Sequence, residues 1–306
     1  MIKQRALFIV NPAAGVGRGR IRWQGFRREL QRVGLEVEEV FTTRAGEAMQ
    51  IARARAGSYE VLLAVGGDGT AFEVASGLLA TGNSQSALGV VPVGTGNDIS
   101  TALGIRGLSE ARHALLEGRM GTIDVIQVEC WAEGKSAVRH ALLFAGVGIA
   151  SESLRLTTPT VKKVFGERLA YPVGLLRALW RYRAPLLRVT HDRQVEEKRF
   201  LFVCANNSEC AGGGMKLAPG ARMDDGQLNL NLIEALGRWD AVKQLRRVCQ
   251  GCHTQHPKVR YLTATELTVE GATSLEVAAD GELIGHTPAR FLIKPKGLNV
   301  LRGRET

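Results

Sequence analysis

Three short apolar runs near the start of the chain each lead directly into a glycine-rich turn. The runs and their turns are Ala6–Val10 with Asn11-Pro12-Ala13-Ala14-Gly15, Val61–Val65 with Gly66-Gly67-Asp68-Gly69-Thr70, and Leu88–Val91 with Gly94-Thr95-Gly96-Asn97-Asp98. Continuous apolar runs are typical of parallel strands covered on both faces, and glycines let a polyanion approach the main-chain N–H groups. Because the carboxyl ends of parallel strands meet at one edge of a sheet, the three turns predict a site for the phosphate chain of a nucleotide.

Asp68 is the leading candidate for a residue that holds a metal–nucleotide complex. It stands between Gly67 and Gly69, where its carboxylate is available to a metal ion or to the waters of that ion. The alternative is an ordinary tight turn in which Asp68 caps a helix. The repetition of the pattern in three turns favours the nucleotide interpretation.

The patterning changes near Gly121, which predicts two domains. Up to that point strands alternate with helical segments, as in a parallel sheet with right-handed crossovers. From Thr122 onward, longer segments of alternating polarity indicate an antiparallel sheet or sandwich. The strands predicted there are Ile123–Glu129, Arg139–Phe144, Leu186–His191, Phe200–Ala205, Gln227–Ile233, Glu266–Glu270, Ser274–Ala278 and Arg290–Lys294. We therefore predict an α/β nucleotide-binding domain over 1–121 and a β-rich antiparallel sandwich over 122–294, with a tail, 295–306, that returns to the first domain. The active site is expected in the cleft between them.

The composition favours a cytoplasmic protein that binds anions. The net charge is +10, and such an excess suits nucleotide phosphates, nucleic acid or an acidic membrane face. Zinc-finger spacings and basic strands interleaved with aromatic residues are both lacking, so nucleic acid is not expected as a partner. Five thinly spread cysteines indicate reduced thiols, and neither a spanning segment nor a signal-peptide core is visible.

The segment Leu169–Arg183 is amphipathic, basic and aromatic. One interpretation is a helix resting on a bilayer, with Arg177, Arg181 and Arg183 near lipid phosphates and Leu176 and Trp180 pointing inward. The other is a helix whose apolar face packs on its own domain, which is the commoner use of such a pattern.

The ordered set of motifs resembles the bacterial diacylglycerol kinase and YegS-like lipid kinase family over nearly the whole chain. The motifs are the second and third glycine turns, followed by Gly212-Gly213-Gly214-Met215, Asp224-Asp225-Gly226-Gln227-Leu228 and Asp280-Gly281-Glu282. The resemblance implies magnesium-dependent transfer of the γ-phosphate of ATP to a lipid hydroxyl, diacylglycerol-like, at a membrane surface. It also implies a place in phospholipid metabolism and leaves a homodimer open.

The resemblance assigns roles to individual positions. The residues that it implies for ATP binding are Asn11, Thr42, Gly66, Gly67, Asp68, Gly69, Thr70, Ala71, Phe72, Thr95, Asn97 and Glu282. Asp280 matches the general base that accepts the proton of the acceptor hydroxyl. A magnesium ion would be held by the Asp225 carboxylate and by the main-chain carbonyls of Arg222 and Gln227. For both Asp280 and Asp225 the alternative is a plain Asp-Gly hairpin turn.

Two positions depart from the family pattern, because Phe72 and Ala145 stand where asparagine is usual. These departures affect contacts near the nucleotide and the lipid headgroup. Two other functions are kept as alternatives. One is an NAD kinase-like phosphotransferase, since that family shares the Gly-Gly-Asp-Gly turn, and the other is a nucleotide-sensing regulator without catalysis.

Overall fold

The computed structural model describes residues 5–82, 85–157 and 174–303. The chain divides into two compact units, Met1–Ile123 with Lys296–Thr306, and Asp124–Pro295. The sequence predicted that the β-rich domain begins after residue 121 and ends at residue 294, whereas in the structure the second unit begins after Ile123 and ends at Pro295. Each unit has its own hydrophobic core.

The first unit is built on a parallel sheet. Its strands are β1 (Ala6–Val10), β2 (Glu38–Phe41), β3 (Val61–Gly66) and β4 (Ala87–Pro92). They lie in the order β2-β1-β3-β4, and each neighbouring pair is parallel. Every residue of β3 and β4 is buried, which explains why both strands read as continuous apolar runs. Val300, in the returning tail, pairs with Leu88 of β4.

Helices connect these strands. They are α1 (Ala14–Gly17), α2 (Gly19–Arg32), α3 (Glu47–Arg55), α4 (Asp68–Leu79), α5 (Asp98–Ala102) and α6 (Leu108–Glu117). In α2, Trp23, Phe26 and Leu30 follow the helical spacing of one face and are fully buried, and Trp23 packs on Phe8 of β1. The apolar face of α2 therefore fixes the connection from β1 to β2 on the sheet.

The second unit is β-rich. Its strands are β5 (Met120–Ala132, which begins in the first unit), β6 (Lys135–Ala141), β7 (Phe144–Gly148), β8 (Leu186–His191), β9 (Gln194–Asn206), β10 (Leu228–Glu234), β11 (Val259–Ala264), β12 (Glu266–Gly271), β13 (Glu276–Ala279) and β14 (Glu282–Leu301, which ends in the first unit). Helices α7 (Ile149–Leu156), α8 (174–181) and α9 (Arg238–Gln250) accompany them, with a 3₁₀ turn at His253–Gln255.

The antiparallel strands of this unit close on themselves. The circuit runs β7-β13-β14-β12-β8-β9 and back to β7, and β10 and β11 extend it from β9. A mixed α/β chain with a β-rich C-terminal part is thus confirmed. Closure of the circuit gives this antiparallel sheet a barrel-like form.

Two local predictions also differ from the structure. The single strand predicted over residues 139–144 is two strands, β6 and β7, with a break at Leu142 and Leu143. Strand β11 was not predicted. Among the residues that the structure describes, no helix is both long and apolar enough to cross a membrane.

Candidate functional site

The three glycine turns of the first unit lie together at the carboxyl edge of its sheet. The N–H of Asn11 donates to the carbonyl of Val65 at 3.0 Å, which joins the end of β1 to the end of β3. The N–H groups of Val93 and Gly94 donate to the carbonyl of Gly66 at 3.0 and 3.1 Å, which joins β3 to β4. The structure thus brings the turns into one continuous group, as a phosphate-binding edge requires.

The second and third turns touch through their main chains. A Cβ atom added to Gly94 would lie 2.4 Å from the Cα atom of Gly67, far inside van der Waals contact. Only glycine therefore permits this approach. Glycine at position 94 lets the turns share a surface made of backbone.

Asp68 begins α4, and its carboxylate reaches the third turn. Its Oδ1 atom accepts a hydrogen bond from the N–H of Ile99 at 2.8 Å, in the first turn of α5. The capping role considered above is therefore present, although the capped helix is α5 and not α4. Asn97 holds a left-handed conformation with φ of 62°, and its side-chain amide donates to the carbonyl of Gly94 at 3.1 Å. Thr95 is exposed beside it.

Asn11 and Thr70 bind each other across the edge. The Nδ2 atom of Asn11 donates to Oγ1 of Thr70 at 3.0 Å, and its Oδ1 accepts from the N–H of Ala13 at 3.0 Å. Thr42 is buried, and its N–H donates to the carbonyl of Val10 at 2.9 Å. Ala71 is wholly buried. These contacts fix the shape of the edge, so Asn11, Thr42 and Thr70 hold the turns and strand ends in place.

Gly69 and Phe72 are the remaining predicted nucleotide-binding residues of the second turn, and both lie on α4. Gly69 is exposed on the first turn of α4, where an added Cβ would meet nothing within 4 Å. Phe72 is half-buried, one helical turn further along. The asparagine usual at this position would extend the polar edge, and phenylalanine replaces it with an apolar ring.

Sequence reasoning missed Glu73, which holds the segment after β2 in place. Its carboxylate accepts hydrogen bonds from the N–H of Gly46 at 2.9 Å and of Ala48 at 3.1 Å. Glu47 acts next to it, since its carboxylate accepts from the N–H and the hydroxyl of Thr43. The N–H of Thr43 is the main cause of the lowered pKa of Glu47. The contacts of Glu47 are local, because it binds the N–H groups of Thr43 and Arg44, four and three residues before it.

Asp280, in the second unit, lies at the tight turn between β13 and β14. It adopts a left-handed conformation with φ of 46°, which aspartate tolerates better than most residues. Its carboxylate accepts three main-chain hydrogen bonds, from the N–H groups of Leu142 at 2.6 Å, Leu143 at 2.9 Å and Phe144 at 3.0 Å. Three such donors hold the carboxylate in one orientation.

A buried asparagine, also missed, organises the segment that binds Asp280. The Nδ2 atom of Asn207 donates to the carbonyls of Asp124 at 2.8 Å and Leu142 at 2.9 Å, and its N–H donates to the carbonyl of Leu143 at 2.8 Å. Asn207 is fully buried. It therefore fixes the strand break whose N–H groups hold Asp280. Two asparagines directly after the apolar strand Phe200–Ala205 were the available signal.

Asp124 connects the same network to the turn that carries Asp225. The buried carboxylate of Asp124 accepts from the N–H of Gly226 at 2.7 Å, and its N–H donates to the carbonyl of Met223 at 2.6 Å. Asp225 is exposed, and its Oδ1 accepts from the N–H of Gln227 at 3.0 Å. Arg222 binds Asp224 at 3.2 Å through its side chain, so only its carbonyl is a candidate ligand.

The turn offers hard oxygen donors, which suit magnesium. Within 5–82, 85–157 and 174–303, no three His, Cys, Asp or Glu side chains are arranged to hold a metal ion. A magnesium ion here would depend on Asp225, main-chain carbonyls and water, and the donor chemistry fits that ion. Burial, aided by the charge of Asp225, raises the pKa of the nearby Tyr261 to about 12.

Glu282 and Ala145 have different surroundings. Glu282 is exposed two residues beyond Asp280. Ala145 is fully buried in the core of the second unit and pairs with Ala279 of β13 and Ala205 of β9. The alanine therefore contributes to packing, where the family's usual asparagine would place an amide.

Comparisons with known proteins cover almost the whole chain. Residues 5–128 match the family described as the diacylglycerol kinase catalytic domain, and residues 147–302 match the YegS C-terminal NAD kinase beta sandwich-like domain. A diacylglycerol kinase of Staphylococcus aureus is 30% identical over 300 residues, which is 98% of this chain and 92% of that protein. One from Staphylococcus saprophyticus is 29% identical over 95% of this chain and 93% of its own length.

Solved structures share the fold. A crystal structure of a diacylglycerol kinase from Bacillus anthracis has a TM-score of 0.74 and 22% identity, over 99% of this chain and 98% of that one. Another crystal structure from the same organism has a TM-score of 0.81 and 24% identity, over 99% and 97%. At 24% and 22% sequence identity, these structural similarities support a shared fold only.

We predict that Gly94→Ala separates the second and third turns. The new methyl group must displace Gly67, so the free energy of unfolding should fall by about 1–3 kcal/mol, and nucleotide binding should weaken by about tenfold. Urea denaturation and calorimetric titration with ATP measure the two effects. Gly25→Ala in α2 is the matched control, since its added Cβ meets nothing within 4 Å. Unchanged ATP binding in Gly94→Ala would contradict the role given to this contact.

Proposed function

Because this chain belongs to the diacylglycerol kinase family and is an ATP-dependent lipid kinase, we propose that it transfers the γ-phosphate of ATP to the hydroxyl group of diacylglycerol. The observation that carries the proposal is the meeting of the three glycine turns at one sheet edge. Phosphoryl transfer needs positioning and charge stabilisation far more than covalent help, and exposed main-chain N–H groups supply both.

The nucleotide is assigned to the edge of the first unit. Main-chain N–H groups of Gly66–Thr70 and Gly94–Asn97 would bind phosphate oxygens, with Asn11, Thr42 and Thr70 shaping the edge. Ala71 and Phe72 would lie beside the nucleotide. Asp68 would hold Mg-ATP, with its Oδ1 atom already oriented by Ile99.

Asp280 is assigned to the acceptor. Its carboxylate would receive the proton of the lipid hydroxyl as the oxygen attacks the γ-phosphorus atom, the bond from that atom to the β-phosphate oxygen breaks and ADP leaves. The three N–H donors would hold it in one orientation before the acceptor arrives. Glu282, on the same turn, is assigned to nucleotide binding by the family resemblance alone.

Magnesium is assigned to the turn from Arg222 to Gln227. The Asp225 carboxylate and the carbonyls of Arg222 and Gln227 would hold the ion, and Asp124 would keep the turn in shape from below. When bound, the ion adds positive charge and braces the β-rich unit. The protein would work in the cytoplasm and reach its acceptor as a peripheral protein on an anionic membrane.

An NAD kinase-like activity is the second candidate, favoured by the family description that matches residues 147–302. The two candidates differ in acceptor, so one assay separates them. Radiolabelled ATP should label diacylglycerol in mixed micelles, whereas a sphingoid base and NAD should remain unlabelled.

Asp280→Asn should bind Mg-ATP normally and turn over about a hundredfold more slowly or worse.

Asp192→Asn is the matched control for that assay. Asp192 lies at another tight turn of the second unit, also with positive φ (43°), and is exposed, so the same isosteric change should leave the rate unchanged. Label found only on NAD would establish the second candidate. Undiminished transfer in Asp280→Asn would remove Asp280 from the mechanism.

We predict that magnesium raises the melting temperature of the wild type and that Asp225→Ala abolishes this response. An ion that binds only the native state stabilises it by mass action. Thermal melts with magnesium and with a chelator measure the difference. Asp240→Ala, which removes an exposed acid from α9, should keep the full response. A magnesium response that survives in Asp225→Ala would place the ion elsewhere.

A further inference from the structure

Two exposed tryptophans meet on the second unit. Trp180 in α8 and Trp239 at the start of α9 have ring centroids 5.8 Å apart and an interplanar angle of 87°. Trp180 is 48% exposed and Trp239 is 72% exposed. An edge-to-face pair is a favourable aromatic geometry, yet both rings leave much apolar area in water. An exposed apolar patch of this kind commonly marks an interaction surface.

Helix α8 has an inner and an outer face. Ala178 and Leu179 are buried, whereas Leu176, Arg177 and Trp180 are exposed on the other side. The described part of the segment Leu169–Arg183 therefore packs on its own unit and also presents an aromatic, basic face. The packing interpretation applies to the inner face, and the bilayer interpretation would concern the outer face. Residues 169–173 lie outside the described residues.

Basic side chains lie on the same two helices as the rings. The guanidinium carbon of Arg238 lies 5.4 Å from the ring centroid of Trp180, a cation–π contact. Arg177 and Arg181 are exposed on α8, and Asp240 is the acidic residue next to Trp239. We call the group of Leu176, Arg177, Trp180, Arg238 and Trp239 the aromatic surface. Its charge is complementary to an anionic partner.

We propose that the aromatic surface docks on an anionic bilayer, with both indole rings at the level of the lipid headgroups. Tryptophan concentrates at membrane interfaces because its ring is apolar and its N–H group is polar. The arginines would meet lipid phosphates, and each contributes electrostatic attraction that salt screens. The inference rests on the proposed function, since a lipid acceptor must be reached at a bilayer.

Quenching of tryptophan fluorescence by brominated lipids tests the position of the rings directly. The full-length protein is mixed with vesicles of phosphatidylglycerol and phosphatidylcholine, brominated near the headgroup end of the acyl chains. We expect quenching of the wild type, and Trp180→Phe/Trp239→Phe should lose that quenching. Trp180→Ala/Trp239→Ala should partition on the order of tenfold more weakly in vesicle sedimentation.

Trp131→Ala is the matched control, because Trp131 is 47% exposed on β5, away from α8 and α9 in the sequence. It should retain both vesicle binding and most of the quenching. Loss of partition in Trp131→Ala but not in the double variant would overturn the proposal. So would a wild type that binds vesicles without quenching, or a concentration-dependent dimer in ultracentrifugation that the double variant abolishes, since a second copy would then cover the surface.

Short-chain diacylglycerol dispersed below its micellar concentration separates this proposal from the proposed function. Kinase activity on that acceptor requires no bilayer, so the double alanine variant should match the wild type there and lose rate only on vesicles. Quenching without kinase activity on any lipid would support docking of the aromatic surface and contradict the assignment of diacylglycerol as the acceptor. Activity on the short-chain acceptor without vesicle binding would contradict the surface alone.

Discussion

The shape of the proposed nucleotide site depends on a single close approach of two main chains. Gly67 and Gly94 touch where β3 and β4 end, at a distance that excludes any Cβ atom on Gly94. The carbonyl of Gly66 can then accept from both Val93 and Gly94, and Asp68 can reach the N–H of Ile99. Strand ends, turns and helix starts thereby form one rigid edge, which is the preorganisation that phosphate binding requires.

The second unit uses side chains for a comparable purpose. Asn207 binds the carbonyls of Asp124 and Leu142, and the N–H group of Leu142 in turn binds Asp280. Asp124 continues the chain of contacts to the turn of Gly226. The proposed catalytic carboxylate and the proposed magnesium turn, which are far apart in sequence, are thus held by one buried network. Networks of this kind are costly to break, because each lost partner leaves a buried polar group without a hydrogen bond.

The apolar runs of the sequence predicted the parallel strands of the first unit well, because the burial of such a strand is visible in its own residues. Strand β1 follows the predicted residues 6–10, and β3 and β4 differ by a residue at their ends, because buried parallel strands are continuous apolar runs. The break between β6 and β7 was hidden inside an apolar run. Its N–H groups are satisfied by Asp280, 138 positions from Leu142, and no local signal carries such a partner.

In the candidate site too, the turns were predicted from the sequence and the residues that hold them in place were not. Glycine and aspartate motifs identified the turns, since their backbone demands are local. The residues that hold those turns, such as Glu73 and Asn207, act across 27 and 65 positions and could not be deduced from spacing. Strand β11 was missed because its sequence, Val259–Ala264, mixes polar and apolar residues on a half-buried strand.

Hydrogen exchange of the main-chain amides, with and without a non-hydrolysable ATP analogue and magnesium, tests the central claim most directly. The account predicts slower exchange on analogue binding at residues 66–70 and 94–98, where N–H groups would bind the phosphates, and unchanged exchange in the hairpin around Asp192. Unchanged exchange in both glycine turns under saturating analogue would contradict the assignment of the nucleotide to this edge.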